Sequence, residues 1–516
     1  MELIKDVIKI DNRIDFGKHQ TYIESEIVIP TEKPDIHEII KNEGFISIKK
    51  VEMGDGKAIC KGNFNYNVIY MTEGKNEVLN IVGKIDLNDV IEKENIVSDM
   101  ESMLYAEIEY IDCSILNDRK IKMSALINIK GSMFEKDRID IVKDVSQVES
   151  IQKHRKEISY QDIVGIEKAE SIIKDTTPIN REEVKSIISV NPYVKIKDTR
   201  ISENKVKVSG ILEINPLACT YDGEVIELDK VGIEFTQYIE VIGAYEGMKE
   251  EINTWLENMD YEFRQNEESN SGLLEIECSI CSKAKVTDEI TREVLEDAYS
   301  PQKIVKFDHK QVDVNKLISS EYDSFIIREG IKNNAEDVQI KDIVSVCSSI
   351  SIENTYVDDC KSVIQGIVKV DILYVPVEGE RLVYKISQEL PFEDELEVKM
   401  LDETCKVFNT ITIEKFDVDL SKDEIDLTIK VKRYTEVISK KTESFITKGE
   451  DLGDYDLSSS PSLIVYICRD KETLWDIAKK YHTTEEEISL LNDISNDDEL
   501  KPGKCLIIEK KIMMCE

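Results

Sequence analysis

The sequence predicts a mainly β protein with minor α content: three β-rich repeats followed by a small βααβ module. Three observations carry that expectation. Short apolar blocks recur in one frame around Gly62, Gly210 and Gly366, spaced 148 and 156 residues apart. Within each copy apolar and polar residues alternate, the period of a strand with one wet face. Toward the C-terminal end the period turns helical between two short apolar strands.

The repeat rests on more than its glycine. The blocks read KGNFNYNVIY, SGILEINPLA and QGIVKVDILY. Upstream, Ile36, Val184 and Ile340 hold the frame, as do Ile48, Ile196 and Ile352. So do Ile39, Ile187 and Ile343, each followed by an apolar residue (Ile40, Ile188, Val344). Downstream, Leu87 corresponds to Phe235, with Phe392 one residue late, and an aliphatic-Glu pair follows each. Agreement of separate blocks in one frame identifies an internal repeat.

Each unit reads as a run of strands. ISIKKV, VKIKDTRI and ISIENTYV alternate, and the Gly-centred block is a second strand. Acidic, Gly-bearing turns follow it in the first and third copies (MTEGKNE and PVEGER), and they suit a hairpin returning through VLNIVGKI or LVYKISQEL. IKMSALINIKG, LLEIECSICSK and EIDLTIKVKRY close the units. The repeated glycines read as a bulge or a tight backbone approach within a sheet, and Phe235 and Phe392 as core.

Charged stretches join the copies. The first, VSQVESIQKHRKEISYQDIV, is compatible with a helix, and the last grows loop-like toward Ser458-Ser459-Ser460-Pro461. The expected organisation is repeat 1 over 1–142, a helical connector over 143–162 and repeat 2 over 163–298. A connector over 299–318, repeat 3 over 319–440, a flexible linker over 441–461 and the module over 462–511 follow.

In the module LIVYI is a short buried strand. Thr473 is an N-cap candidate before LWDIAKKY, where Leu474, Ile477, Ala478 and Tyr481 share one face. Thr484 and Glu487 make a capping box for a second helix that buries Ile488 and Leu491. Pro502-Gly503 turns the chain into CLIIE. Strand, T-L-W-x-I-A-x-x-Y, a helix with N-x-I, and x-P-G-x-x-L-x-I together resemble the LysM module. The triplicated β unit resembles the SPOCS domain of spore-forming bacteria.

The LysM resemblance implies sugar binding through two loops. Lys471-Glu472 here replaces the usual Gly-Asp and alters the first of them. The SPOCS-plus-LysM resemblance implies a non-enzymatic adaptor in spore envelope assembly, placed in the mother-cell cytoplasm at the forespore surface and later in the coat. It implies that the module binds the coat-basement ATPase of the SpoIVA type and couples coat recruitment to it, with other coat proteins as further partners. The alternative is a protein that binds peptidoglycan or N-acetylglucosamine in cortex or wall.

Charge and composition bear on partners. A formal net charge of −38 repels phosphate backbones, so nucleic acid is not expected, and a basic protein surface fits better. The first twenty residues carry no apolar signal region, and no apolar run is long enough to span a membrane. Eleven scattered cysteines read as reduced thiols, and the lone Cys278-x-x-Cys281 as strand thiols without the second pair that zinc needs. No nucleophile-elbow, HExxH, P-loop or dinucleotide motif occurs, so neither enzymatic activity nor a cofactor or metal is expected. The acidic run Asp497-Asp498-Glu499 reads as a solvated loop.

Trp475 stands about 100° round the helix from the buried stripe, beside Lys479 and His482. Either it closes the edge of a very small core, or it is an aromatic anchor for a protein partner. The residues singled out for partner binding are Trp475, Leu463, Ile464, Lys479, His482 and Lys471.

Overall fold

The structure, a computed structural model, describes residues 1–73, 77–266, 271–332, 339–358, 360–378, 382–398, 405–421, 424–456, 461–494 and 500–509. The hairpin turns at 74–76 and 379–381, the tether at 458–460 and the acidic run at 497–499 lie outside these residues.

The first repeat is a sandwich of two three-stranded antiparallel sheets. One contains β1 (Glu2–Val28), β6 (Lys120–Ser146) and β5 (Glu101–Asn117), with β6 in the middle. The other is the meander β2 (Ile36–Gly54), β3 (Lys57–Thr72) and β4 (Val78–Glu92). Alternation places Phe64 and Val68 of β3 against Ile121, Met123 and Ile127 of β6, all fully buried.

The second repeat follows the same plan with broken strands. β7 (Gln152–Ile179) takes the place of β1. The meander becomes β8 (Val184–Ser189) with β9 (Pro192–Ser202), β10 (Lys205–Ile214) with β11 (Leu217–Thr220), and β12 (Val225–Glu227) with β13 (Val231–Glu240). Pro192 and Pro216 stand at two of the breaks, where a residue without an N–H cannot continue a ladder. β14 (Lys249–Asn266) and β15 (Ser271–Tyr299) complete the second sheet with β7. The third repeat pairs β16 (Lys303–Lys332), β21 (Glu424–Asp454) and β20 (Cys405–Ser421) against the meander β17 (Ile340–Asp358), β18 (Lys361–Pro376) and β19 (Tyr384–Glu397).

The repeated glycine does the same job three times. A methyl group on Gly62 would lie 2.0 Å from the Ser47 carbonyl oxygen, on Gly210 2.6 Å from that of Lys195, and on Gly366 2.2 Å from that of Ser351. Beside each contact the neighbouring strand carries a bulge, skipping Lys49, Lys197 and Glu353 in turn. In the second and third copies the facing Phe235 and Phe392 lay their rings over the glycine.

The stretches between copies are strands. Residues 152–162, expected as part of a helical connector, belong to β7; 303–318 belong to β16, and 441–454, expected as flexible linker, to β21. Their charges lie on outward faces or pair between strands, as Lys153 with Asp144 at 2.7 Å and Lys156 with Glu443 at 2.8 Å. A charged strand face carries the same residue types as a charged helix, and only its period of two tells them apart.

The three sandwiches close around a pseudo-threefold axis. Ile40, Ile188 and Val344, equivalent in the three copies, gather with the equivalent Ile69, Leu217 and Leu373 in one buried cluster. The extended ends of the long strands form a second: Ile8 and Ile10, Ile158 and Tyr160, Val312 and Val314. Above the first cluster the equivalent positions Glu43, Asn191 and Cys347 differ in chemistry yet stay linked. Lys41 Nζ reaches Glu43 at 2.9 Å and Cys347 Sγ at 3.0 Å, and Asn191 Nδ2 reaches the same sulfur at 3.2 Å.

The ten described cysteines are free, with Cys278 and Cys281 buried in β15. Among the described residues no helix is long and apolar enough to cross a membrane.

Candidate functional site

The C-terminal module comprises β22 (Leu463–Ile467), α1 (Leu474–Tyr481), α2 (Glu485–Leu491) and β23 (Cys505–Glu509), with the two strands paired antiparallel. Thr473 caps α1 in a box completed by Asp476, and Thr484 caps α2 in the box with Glu487. Ile477, Ala478, Ile488, Leu506 and Ile508 make its interior. Asn492 fastens the end of α2 to β23, donating to the Ile507 carbonyl oxygen at 2.7 Å and accepting from its N–H at 2.6 Å.

The strand β22 is not buried as a whole. Tyr466 points inward and Ile464 packs partly against the interior, whereas Leu463 (58%), Val465 (63%) and Ile467 (63%) are exposed. Val465 pairs with Ile507, itself 42% exposed, so the outer face of this two-stranded sheet is an apolar strip. A sheet of two strands has only one face to bury in so small a module.

The opposite region, around α1, is covered by the second repeat. Trp475 is 8% exposed because it sits on the end of β15. Its Nε1–H donates to Asp297 Oδ2 at 2.9 Å, and its ring meets Tyr299 edge-on at 4.8 Å and His154 at 5.2 Å. Lys479 Nζ donates to both oxygens of Asp297, at 2.8 and 2.6 Å. The Tyr299 hydroxyl donates to the Thr483 carbonyl oxygen at 2.9 Å, and burial, helped by the carboxylates of Glu485, Glu487 and Asp297, pushes that phenol far above its usual range. His482 caps α1 in the left-handed region (φ 52°) and stacks on Tyr455, ring centroids 3.6 Å apart. Burial holds the His482 imidazole below its ordinary pKa, against a hydrogen bond with the Ser300 backbone that acts the other way.

The six singled-out residues therefore fall into separate groups. Trp475, Lys479 and His482 share one face, and it is already occupied by the second and third repeats. Trp475 has the neighbours expected of it, and β15 covers its ring. Leu463 lies on the open strip, with Ile464 turned inward beside it. Lys471 is exposed in the loop before α1 at φ 63°, a conformation that favours glycine. Next to it Glu472 accepts from the Tyr466 hydroxyl at 2.7 Å and from the Arg469 N–H at 2.9 Å, which ties this loop to the module.

Sequence reasoning missed Asp297, Tyr299 and Tyr455. None lies in a motif, and only the tertiary fold brings them within reach of the module. Val465 and Ile467 alternate with Tyr466 in β22, and that period was the readable sign of an open face.

A comparison with protein families matches the SipL, SPOCS domain at residues 35–116, 183–264 and 339–421, and the LysM domain at residues 466–509. Each SPOCS match spans a meander and the strand that follows it. The long strands β1 with β6, β7 with β15, and β16 with β21 fall largely outside the matches. No curated protein and no solved structure matches the chain. The chain carries three SPOCS domains and a C-terminal LysM domain, which is the SipL architecture. That set of domains fits a sporulation-associated adaptor whose LysM domain is of a peptidoglycan-binding kind.

Proposed function

We propose that this chain of SipL architecture is a non-enzymatic adaptor of spore envelope assembly, working in the mother-cell cytoplasm at the forespore surface. Its LysM domain grips a protein, the coat-basement ATPase of the SpoIVA type, and couples that partner to the coat proteins recruited through the ring of repeats. The apolar strip of Leu463, Val465, Ile467 and Ile507 carries this reading. Apolar area left in water on a small domain favours a protein surface, since burial returns about 25 cal/mol per Å². Trp475, Lys479 and His482 add to the contact only after the domain lifts from β15.

The alternative is a glycan-binding LysM domain. It is supported by the family, and opposed by Lys471 holding the left-handed position in the first loop. Co-sedimentation of the full chain separates the two. Retention on purified coat ATPase, lost in Leu463→Asp and Val465→Asp, supports the adaptor. Depletion by insoluble peptidoglycan without retention on the ATPase overturns it.

A further inference from the structure

The two-stranded sheet of the LysM domain has two outer edges, and they are finished differently. The register tells which backbone groups lie on each. The Cys468 N–H donates to the Lys504 carbonyl oxygen at 2.9 Å, so these two residues face each other as a hydrogen-bonded pair. Two residues back along β22, Tyr466 with Leu506 is the next such pair, followed by Ile464 with Ile508. Leu463, Val465 and Ile467 alternate with them, so their N–H and C=O groups point away from β23.

On β23 the outward groups of Ile507 are both satisfied by the side chain of Asn492. On β22 nothing comparable arrives. Among the described residues no hydrogen bond from elsewhere in the chain reaches the backbone of Leu463, Val465 or Ile467.

An open edge is a template for another strand, and proteins ordinarily guard it with a lysine, a proline, a bulge or a covering loop. β22 reads LIVYI, without a charge or a proline, and it runs against β23 without a register shift. The side chains of its three edge residues are also the exposed apolar strip. Outward N–H and C=O groups spaced two residues apart fit one kind of occupant, an extended backbone, and the strip beside them fits apolar side chains at its alternate positions.

We propose that the protein partner of the LysM domain adds an extended strand to the open edge of β22, pairing its backbone with Leu463, Val465 and Ile467 and continuing the apolar strip. This rests on the adaptor reading and gives the form of the grip. A second copy of the chain is the poorer occupant. Two five-residue strands meeting edge to edge fall short of the ~1,200 Å² of a stable interface, and a net charge of −38 on each copy repels the other. The same charge favours a partner strand flanked by Lys and Arg.

The test is co-sedimentation of the full chain with purified coat ATPase, comparing Val465→Pro with Val465→Ala. Both variants lose the valine side chain, and only the proline lacks the outward N–H. The ladder to β23 does not use that N–H, so both are expected to keep the wild-type melting curve. Retention of Val465→Pro is expected to fall about tenfold below that of Val465→Ala. If Val465→Pro melts early, Ile467→Pro compared with Ile467→Ala takes its place. A wild-type chain that is retained while the proline and alanine variants bind alike overturns strand addition and leaves the adaptor reading standing. A wild-type chain that is not retained overturns both. A dimer of the chain alone that Val465→Pro turns into a monomer puts a second copy on the edge, and that also overturns the proposal.

Discussion

Asp297, near the end of β15, accepts a hydrogen bond from the indole of Trp475 178 positions later in the chain. The same carboxylate is chelated by Lys479, so one side chain of the second repeat holds two residues of α1. Any partner that needs the Trp475 face competes with this internal contact.

Replacing Asp297 should release the module. Asp297→Ala removes hydrogen bonds to a charged group, worth about 1.5–3 kcal/mol. In a Trp255→Phe background, Trp475 is the remaining tryptophan, and its emission should shift to the red. Proteolysis between the ring and the module should speed up. An unchanged emission maximum would mean that Tyr299 and Tyr455 hold the module without Asp297.

Acid should loosen the same contact. The docked environment of His482 holds its imidazole below the ordinary 6.5, so the docked state prefers the neutral ring. The sign follows from linkage: docking is complete above about pH 6.5 and weakens as pH falls through the lowered pKa. Trp475 emission followed across this range in a His154→Phe background should titrate, and His482→Phe should flatten the curve.

Each repeat glycine should resist substitution for the same reason. A Gly366→Ala methyl would meet the Ser351 carbonyl oxygen and the Phe392 ring, 2.2 and 2.6 Å away, and the strands must separate to admit it. Chemical denaturation should show a loss of about 1–3 kcal/mol. Gly62→Ala and Gly210→Ala should behave alike. A neutral result at any of the three would overturn the close-approach account.

Lys471 offers a gain instead. A side chain in the left-handed region costs about 1–2 kcal/mol relative to glycine. Lys471→Gly should raise the melting temperature of the LysM domain. If sugar binding rises with it, the loop had been the obstacle to the glycan reading.

Much of the fold was legible in the residues. The frame shared by Ile40, Ile188 and Val344 marked equivalent positions, and the structure shows why they are equivalent: all three meet at the axis. The caps at Thr473 and Thr484 were readable because a capping box is a local matter of four residues. β7 was not, because Lys and Glu crowd its outward positions and hide the alternation of Ile158 and Tyr160, which are buried. The docking of Trp475 was out of reach for a different reason. A side chain's own neighbours in sequence say how far it turns from the core, and nothing about what arrives from a distant strand.

The differing residues at the axis have a consequence for how such a ring can evolve. Three separate identical subunits would have to present the same side chain at this level, because symmetry copies every substitution threefold. Fusion into one chain frees each position, and Glu43, Asn191 and Cys347 show the result. It also fixes stoichiometry. One ring carries one LysM domain, seated on the end of β15 and on Tyr455 beyond β21, so an ordered array of such chains would space its LysM domains by the width of a whole ring.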